Sequence, residues 1–245
     1  MNKPCLVAHR GYAAKYPENS MSAFIAAIEC GCEYLELDVQ LTRDLVPVII
    51  HDTEFTRTGD TNYCVLDENW SSIKSCTVGE SDRFGEKFEN EKIPSLKDFV
   101  ELLKINPQVS AFVEIKEECI EKFGEMTVLN AVIEVIEPVR KQCFIISFDA
   151  NVLFKAKQTT QYPIGFVVHR YDDEHREIAQ KLKPDILICN YQKIPDEQGA
   201  LWDEPWQWFL YEVVDVEIAK KWIKRGVTYI ETMEIGSLIN ALRIK

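Results

Sequence analysis

Leu35-Glu36-Leu37-Asp38-Val39 lies at the centre of the stretch, residues 6–52, from which the fold can be predicted. Side chains alternate across a β-strand, so Glu36 and Asp38 share one face and the apolar residues share the other. Two carboxylates on one face repel each other unless a cation lies between them, and oxygen ligands suit a hard ion such as Mg²⁺ or Ca²⁺. For this pair alone, a half-exposed edge strand with a solvated acidic face is the alternative interpretation.

The residues that follow predict a β-hairpin. A short polar break, Thr42-Arg43-Asp44-Leu45, precedes the apolar run Val46-Pro47-Val48-Ile49-Ile50-His51. With Asp44 and Leu45 as a two-residue loop, His51 lies opposite Asp38 and shares its face, where a general acid or base would be useful. Leu45 counts against this register, because leucine is strained at the positive φ of such a turn, and a longer loop would shift the pairing.

Further along the chain, apolar β-like runs alternate with segments of helical periodicity, which is typical of a parallel sheet covered by helices. The strand candidates are Cys5–Ala8, Cys32–Leu41, Val46–His51, Ala111–Lys116, Phe144–Phe148, Ile164–His169, Ile186–Asn190, Gln207–Val214 and Thr228–Thr232. Eight remain without the hairpin strand that ends at His51, which predicts an α/β fold, the (β/α)8 TIM barrel. The active site of such a barrel lies at the C-terminal ends of the strands.

Composition restricts the function further. The chain has 245 residues, 46% of them hydrophobic and 28% charged, as expected for one soluble domain. A net charge of −12 argues against nucleic acid or an anionic membrane as a partner. We find no apolar run of about 18 residues and no signal peptide, so we expect no integral membrane segment and a cytoplasmic or already mature protein. The 8 cysteines form no C-x-x-C pair, which predicts reduced, mostly buried thiols rather than zinc ligands or disulfides.

Six short motifs carry a resemblance to a known family. In chain order they are His9-Arg10-Gly11, Pro17-Glu18-Asn19-Ser20, Glu36-Leu37-Asp38, Thr42-x-Asp44, His51-Asp52 and Glu114-Ile115-Lys116. Each is weak alone, but their order and spacing resemble the glycerophosphodiester phosphodiesterase family over essentially the whole chain. The resemblance implies one TIM-barrel domain over residues 1–245. It also implies that residues 53–93, which show little regular periodicity, cap the site; a decorative surface insertion is the alternative.

The resemblance supports specific roles for the polar residues. Glu36, Asp38 and Glu114 would hold one divalent cation, Mg²⁺ or Ca²⁺, although Glu114 could instead pair with a neighbouring lysine. His9 and His51 would act as general acid and base, because an imidazole titrates near neutrality. Arg10 and Lys116 would bind phosphate oxygens, their alternative being salt bridges to the metal-site carboxylates.

Four further residues are less specific. Phe148 and Tyr211 are candidate substrate contacts, and core packing is as good an interpretation for Phe148. His169 is expected to be structural, and Asn19 either belongs to the site or only caps a helix. Tyr211-Glu212-Val213-Val214 replaces the family's eighth-strand Trp-Thr-Val-Asn, and Thr232-Met233 replaces its closing Thr-Asp. These departures concern the leaving-group pocket and therefore the substrate.

The resemblance predicts a metal-dependent phosphodiesterase that cleaves a small-molecule glycerophosphodiester into glycerol phosphate and an alcohol. Two alternatives remain: a phospholipase-like enzyme of the same superfamily, which the lack of an evident membrane-docking patch disfavours, and a catalytically inactive barrel that binds a phosphorylated ligand. The intact histidines and carboxylates argue against the inactive barrel, because a binding protein needs no proton-transfer pair. The protein is expected to be a monomer or a homodimer.

Overall fold

Eight parallel strands close into a barrel in this computed structural model, which describes residues 4–197 and 201–242. The strands are β1 (Cys5–Ala8), β2 (Tyr34–Leu41), β3 (Pro47–Ile49), β4 (Ser110–Ile115), β5 (Cys143–Ser147), β6 (Ile164–Val167), β7 (Ile186–Asn190), β8 (Gln207–Tyr211) and β9 (Tyr229–Thr232). Their order is β1-β9-β8-β7-β6-β5-β4-β2, and β1 also pairs with β2, so the sheet closes. The predicted TIM barrel is confirmed.

β3 is antiparallel to β2 and lies outside the barrel. β1 pairs with the first half of β2, at Tyr34 and Leu35, and β3 pairs with its last residues, Val39 to Leu41. The hairpin strand therefore follows the edge of β2 beyond the end of β1. As a result, the chain leaves β3 at the C-terminal mouth of the barrel.

The predicted register of this hairpin is wrong by one residue. The Thr42 amide donates to the Val46 carbonyl at 3.1 Å, and the Ile50 amide donates to the Asp38 carbonyl at 3.0 Å. The loop thus has three residues, and Leu45 adopts the left-handed conformation at φ 61°. The side chain of Thr42 stabilises this loop by accepting a hydrogen bond from the Val46 amide at 3.0 Å. Ile50, and not His51, lies opposite Asp38.

The helices are α1 (Met21–Glu29), α2 (Trp70–Ile73), α3 (Ser81–Phe84), α4 (Leu96–Lys104), α5 (Glu117–Phe123), α6 (Glu125–Ile136), α7 (Ala150–Thr159), α8 (Asp173–Leu182), α9 (Val216–Lys224) and α10 (Ile235–Leu242). All except α2 and α3, which belong to the segment between β3 and α4, surround the barrel on its outer face. The side chain of Ser20 caps α1 by accepting from the Ala23 amide, and Ser95 and Asp98 form a capping box at α4. Gly124, at φ 83°, separates α5 from α6.

Alternation along each strand places polar residues inside the barrel only near its mouth. Leu35, Leu37 and Val39 pack outward against the helices, so Glu36 and Asp38 face the interior. The lower part of the interior is filled by apolar side chains, namely Val7, Phe112, Ile146, Val167, Ile186, Ile188, Phe209 and Tyr229. This packed floor leaves room for a site only at the C-terminal ends of the strands.

The segment between β3 and α4 contains α2, α3 and two 3₁₀ turns, Val65–Asp67 and Gly85–Phe88. It has an apolar core of its own around Phe55, Val65 and Ile73, which packs on Val48 and Ile50 of the hairpin. Buried Glu80 anchors it to the β1–α1 loop by accepting a hydrogen bond from the Glu18 amide.

The burial of the cysteines and the hydrophobicity of the helices bear on two further predictions. Five of the eight cysteines are buried, as expected: Cys32, Cys76, Cys119, Cys143 and Cys189. Among residues 4–197 and 201–242 no helix has the length and hydrophobicity to cross a bilayer. Residues 1–3, 198–200 and 243–245, which fall within the predicted 1–245 domain, lie outside the described residues, as does the end of the closing helix predicted to reach Ile244.

Candidate active site

One cavity of about 190 Å³ opens at the mouth of the barrel, and every site residue predicted from the sequence lines it. Those residues are His9, Arg10, Glu36, Asp38, His51, Glu114, Lys116, Phe148 and Tyr211. The cavity has five further lining residues, Ile146, Val167, Ile188, Glu212 and Glu231. The structure therefore brings together side chains that lie more than 200 positions apart in the chain.

Three buried carboxylates converge on one wall. Asp38 and Glu114 are direct partners in the parallel β2–β4 register, and Glu36 lies two residues before Asp38 on the same face. One oxygen from each of the three lies within 4.8 Å of the others. This all-oxygen donor set fits a hard divalent cation, which is the group that the family resemblance implies.

The carboxylates affect one another's ionisation. Burial, followed by repulsion from Asp38, raises the pKa of Glu36 well above its ordinary value. Burial raises the pKa of Glu114 to about 7, although Lys116 opposes the change. Burial also opposes the ionisation of Asp38, but Arg10 and Lys116 outweigh it and lower the pKa of this group. A divalent cation among the three oxygens would offset the repulsion that these shifts reflect.

Asn19 contributes to the site as well as preceding the cap of α1. Its amide nitrogen donates to Asp38 Oδ2 at 2.8 Å, and its amide oxygen accepts from the Asp38 backbone at 3.2 Å. The capping hydrogen bond itself comes from Ser20. Asn19 therefore orients a candidate metal ligand.

The two cationic residues contact the carboxylates directly. Arg10 Nε lies 3.0 Å from Asp38 Oδ2, and its backbone amide donates to Glu36 Oε2 at 3.0 Å. Lys116 Nζ lies 3.0 Å from Glu114 Oε1 and 3.4 Å from Asp38 Oδ1. Arg10 and Lys116 thus form the salt bridges to the candidate metal ligands that were the alternative to phosphate binding. Both side chains also line the cavity.

His51 belongs to a chain of charged groups. Its Nδ1 lies 2.6 Å from Asp52 Oδ1, and Asp52 Oδ2 accepts from Arg57 Nε at 2.7 Å. Arg57 also donates to both oxygens of Glu18, at 2.8 and 2.7 Å, and Glu18 accepts from Arg10 at 2.8 Å. Because an ionised carboxylate only accepts, Nδ1 of His51 carries a proton and Nε2 is the ring nitrogen left for proton transfer.

His9 lies beside two buried carboxylates, those of Glu36 and Glu231. Its Nε2 lies 3.9 Å from Glu231 Oε2, and its buried Nδ1 has no hydrogen-bond partner among the described residues. Burial, followed by the charge of Arg10, lowers the pKa of His9 to about 3. In this environment the imidazole is neutral near pH 7, with a nitrogen able to accept a proton.

The remaining predicted contacts, Phe148 and Tyr211, also line the cavity. Phe148 lines the cavity and stacks on His169 with ring centroids 4.4 Å apart. His169 also contacts Glu117 at 3.1 Å and does not line the cavity, which agrees with its expected structural role. Tyr211 lines the cavity at the end of β8.

Sequence reasoning missed Glu18, Arg57, Glu212 and Glu231 as site residues. Glu231 carried a signal: it is two residues from Tyr229 in a short apolar strand and therefore faces the barrel interior, as Glu36 does. Glu212 stood in the altered eighth-strand motif without a role. Glu18 and Arg57 lie in loops, where no periodicity indicates direction.

Comparison with known proteins decides the family. Residues 9–231 match the model of the glycerophosphoryl diester phosphodiesterase family. The chain belongs to this family. A glycerophosphodiester phosphodiesterase of Caldanaerobacter subterraneus subsp. tengcongensis is 37% identical over 132 residues, which is 50% of this chain and 54% of that protein. The match thus spans about half the length of the curated relatives.

Solved structures of the family share the barrel. A glycerophosphodiester phosphodiesterase from Thermotoga maritima superposes with a TM-score of 0.76 at 26% identity, covering 98% of this chain and 99% of that one. An Oleispira antarctica phosphodiesterase, solved in complex with the product sn-glycerol-3-phosphate, gives 0.84 at 22% identity, covering 98% and 97%. At this identity, the similarity to the Oleispira phosphodiesterase shows a shared fold alone.

Proposed function

We propose that the protein hydrolyses glycerophosphodiesters to glycerol phosphate and an alcohol, with one divalent cation and the histidines His9 and His51. One observation carries the proposal: three buried carboxylates, two imidazoles and two cationic side chains line the same small cavity in a chain of this family. The Oleispira phosphodiesterase, solved with its product sn-glycerol-3-phosphate, supports the same reaction class.

Glu36, Asp38 and Glu114 would hold the cation, Mg²⁺ or Ca²⁺, because their ligand atoms are carboxylate oxygens that lie close together. When bound, such an ion neutralises charge on phosphoryl oxygens. Asn19 would keep Asp38 oriented through its two hydrogen bonds. The orientation of a metal ligand depends on such supporting contacts.

Arg10 and Lys116 would bind the phosphate. The protein carries a net charge of −12, so an anionic substrate needs local positive charge at the cavity. Arg10 can present its planar fork to two phosphate oxygens, while Lys116 acts as a point charge. Their salt bridges to Asp38 and Glu114 hold both cations at the cavity wall before the substrate binds.

His9 and His51 would transfer the protons. One removes a proton from the nucleophile, and the other protonates the leaving alcohol. Asp52 would orient His51 by accepting from Nδ1 and would stabilise the imidazolium when the ring is protonated. Phe148 and Tyr211, which line the cavity, would contact the substrate.

The nucleophile would be the substrate's own hydroxyl on the carbon next to the phosphorylated oxygen. This hydroxyl is tethered, so its attack is intramolecular and can gain several kcal/mol, in order of magnitude, from proximity. Its attack forms a cyclic phosphate and releases the alcohol; water then opens the ring while the histidines exchange roles. The same residues could instead activate water directly.

Residues 53–93 would act as a cap within the single 1–245 domain. Arg57 of this segment binds Asp52 and Glu18 at the mouth of the cavity, which supports the cap over a decorative insertion. A surface insertion without a role in the site would not be expected to contact Asp52, the residue that binds His51.

The test is turnover of glycerophosphocholine with Mg²⁺ or Ca²⁺, followed by release of choline and glycerol phosphate. Hydrolysis that His9→Ala slows by about 10²–10⁴-fold supports the proposal. Faster cleavage of lysophosphatidylcholine than of glycerophosphocholine would favour the phospholipase-like alternative. Binding of glycerol phosphate without turnover of any diester would favour the inactive barrel.

A further inference from the structure

The backbone of His51 lies just beyond the paired part of the hairpin. β3 ends at Ile49, and the Ile50 amide still donates to the Asp38 carbonyl of β2 at 3.0 Å. The imidazole of His51 is held through Nδ1 by Asp52, which is the next residue in the chain. Because Asp52 moves together with His51, this contact does not fix the position of His51 relative to β2.

One side chain of β2 makes that connection. Gln40 Nε2 donates to the His51 carbonyl oxygen at 3.3 Å and to Glu118 Oε2, in the first turn of α5, at 3.2 Å. Gln40 lies two residues after Asp38 on the same face of β2, and it is fully buried. Its amide therefore joins the segment that carries His51 to the strand that carries two of the candidate metal ligands.

The hydrogen bonds of the Gln40 amide leave one of its atoms unsatisfied. Both partners, a carbonyl and a carboxylate, accept hydrogen bonds, so the amide nitrogen must face them. The amide oxygen, Oε1, is buried and has no donor among the described residues. An apolar side chain at this position would avoid the cost of burying an unsatisfied polar atom. Packing alone therefore does not account for a glutamine here.

We infer that Gln40 is a positioning residue for His51: its N–H group holds the His51 carbonyl and thereby keeps the imidazole at the cavity. The inference rests on the proposed function, which assigns proton transfer to His51. Gln40 is not one of the residues that line the cavity, so it acts through His51 and not on the substrate. The strand β2 then fixes the position of the imidazole as well as that of Glu36 and Asp38.

Anchoring α5 is the competing role for Gln40. In that case the hydrogen bond to Glu118 would be the important one, and Gln40 would stabilise the barrel without orienting His51. We favour the contact with His51 because Glu118 is exposed, and water can replace a hydrogen bond to an exposed carboxylate. The two contacts use different acceptors, so two variants can separate them.

The experiment replaces Gln40 with methionine, which is similar in length but has no N–H donor. We expect Gln40→Met to lower kcat for glycerophosphocholine by about 3- to 10-fold, as for the loss of one neutral hydrogen bond, and to change KM by less than about twofold. Glu118→Ala removes only the acceptor on α5 and is the matched control, so its kcat should stay within about twofold of wild type. If Gln40→Met does not fold, Gln40→Asn, whose amide is one methylene shorter, tests the same contact.

Coupling to His51 distinguishes an orienting role from a purely structural one. In a His51→Ala protein, Gln40→Met should cause no further decrease in kcat, because the ring that Gln40 orients is absent. The ¹⁵N NMR resonances of the His51 imidazole give a readout that does not depend on turnover. They should shift in Gln40→Met and stay unchanged in Glu118→Ala.

Several results would overturn the inference and leave the proposed function intact. They are a wild-type kcat in Gln40→Met, an equal loss of kcat in Glu118→Ala, and unchanged His51 resonances in Gln40→Met. A decrease of the same size in the His51→Ala protein would place the effect of Gln40 elsewhere, and failure of both Gln40 variants to fold would assign it to the stability of the barrel. No hydrolysis by the wild type would instead refute the proposed function itself.

Discussion

Replacing Asp52 with asparagine tests how His51 is oriented. The Asp52 carboxylate contacts His51 Nδ1 at 2.6 Å and Arg57 Nε at 2.7 Å, so it joins the imidazole to a fixed guanidinium. An asparagine keeps the size of the side chain but removes the charge. The asparagine can also donate its amide N–H to Nδ1, which would favour the His51 tautomer that carries its proton on Nε2.

The magnitude follows from the exposure of this pair. A hydrogen bond to a charged group contributes about 1.5–3 kcal/mol, which corresponds to roughly 10- to 150-fold in rate. Because His51 and Asp52 are 32% and 34% exposed, solvent screens their interaction and the lower half of that range applies. We therefore expect Asp52→Asn to lower kcat by roughly 10- to 50-fold, with KM less affected.

The assay is steady-state hydrolysis of glycerophosphocholine as a function of pH. Asp82→Asn, which changes an exposed aspartate of the same segment, controls for the loss of one negative charge. Arg57→Ala should give a smaller decrease in kcat, and little further decrease when combined with Asp52→Asn, because Arg57 acts through Asp52. An Asp52→Asn protein with wild-type kcat across the pH range would refute the orienting role of Asp52.

Four further predictions concern other parts of the site. His9→Ala and His51→Ala should each lower kcat by about 10²–10⁴-fold without changing the unfolding midpoint, and near wild-type kcat in either variant would make that histidine structural. Glu36→Gln should weaken Mg²⁺ or Ca²⁺ binding in calorimetry, because an amide is a poorer ligand for a hard cation; unchanged affinity would exclude Glu36 from the metal site. A substrate whose neighbouring hydroxyl is methylated should bind but turn over slowly, whereas a rate close to that of the parent would leave water as the nucleophile. Although burial opposes the change, hydrogen bonds from Arg57 lower the pKa of Glu18. The ionised Glu18 carboxylate therefore stabilises the fold above its unfolded pKa, and this contribution is lost as the pH falls. The difference in urea midpoint between wild type and Glu18→Gln should shrink from about pH 7 to about pH 3, and a constant difference would contradict the assignment.

The barrel and most of the cavity could be predicted because they follow from regular periodicities. Alternation along β2 and β4 decides which side chains face inward, and parallel strands end at the same edge of the barrel. Glu36, Asp38 and Glu114 therefore meet although Asp38 and Glu114 are 76 positions apart in the chain. The family resemblance added the roles of the histidines and of the cationic residues at the same edge.

The parts that could not be predicted depend on loops. The hairpin register was wrong because Leu45 accepts a left-handed conformation that Thr42 stabilises, and one residue in the loop moves every pairing along β3. His51 still lines the cavity because it lies beyond the last paired residues of β3, where the chain is free to turn inward. The contacts of Glu18 and Arg57 join two irregular segments, and their direction follows only from the folded chain.

The most direct test of the central claim is ³¹P NMR of glycerophosphocholine with protein that has been stripped of divalent ions and then resupplied. We expect no signal from glycerol phosphate in excess chelator. On addition of Mg²⁺ or Ca²⁺, that signal should grow in the wild type but not in Glu114→Gln, which lacks one of the three carboxylates. Full turnover in excess chelator, or equal recovery in Glu114→Gln, would contradict a metal site built from Glu36, Asp38 and Glu114.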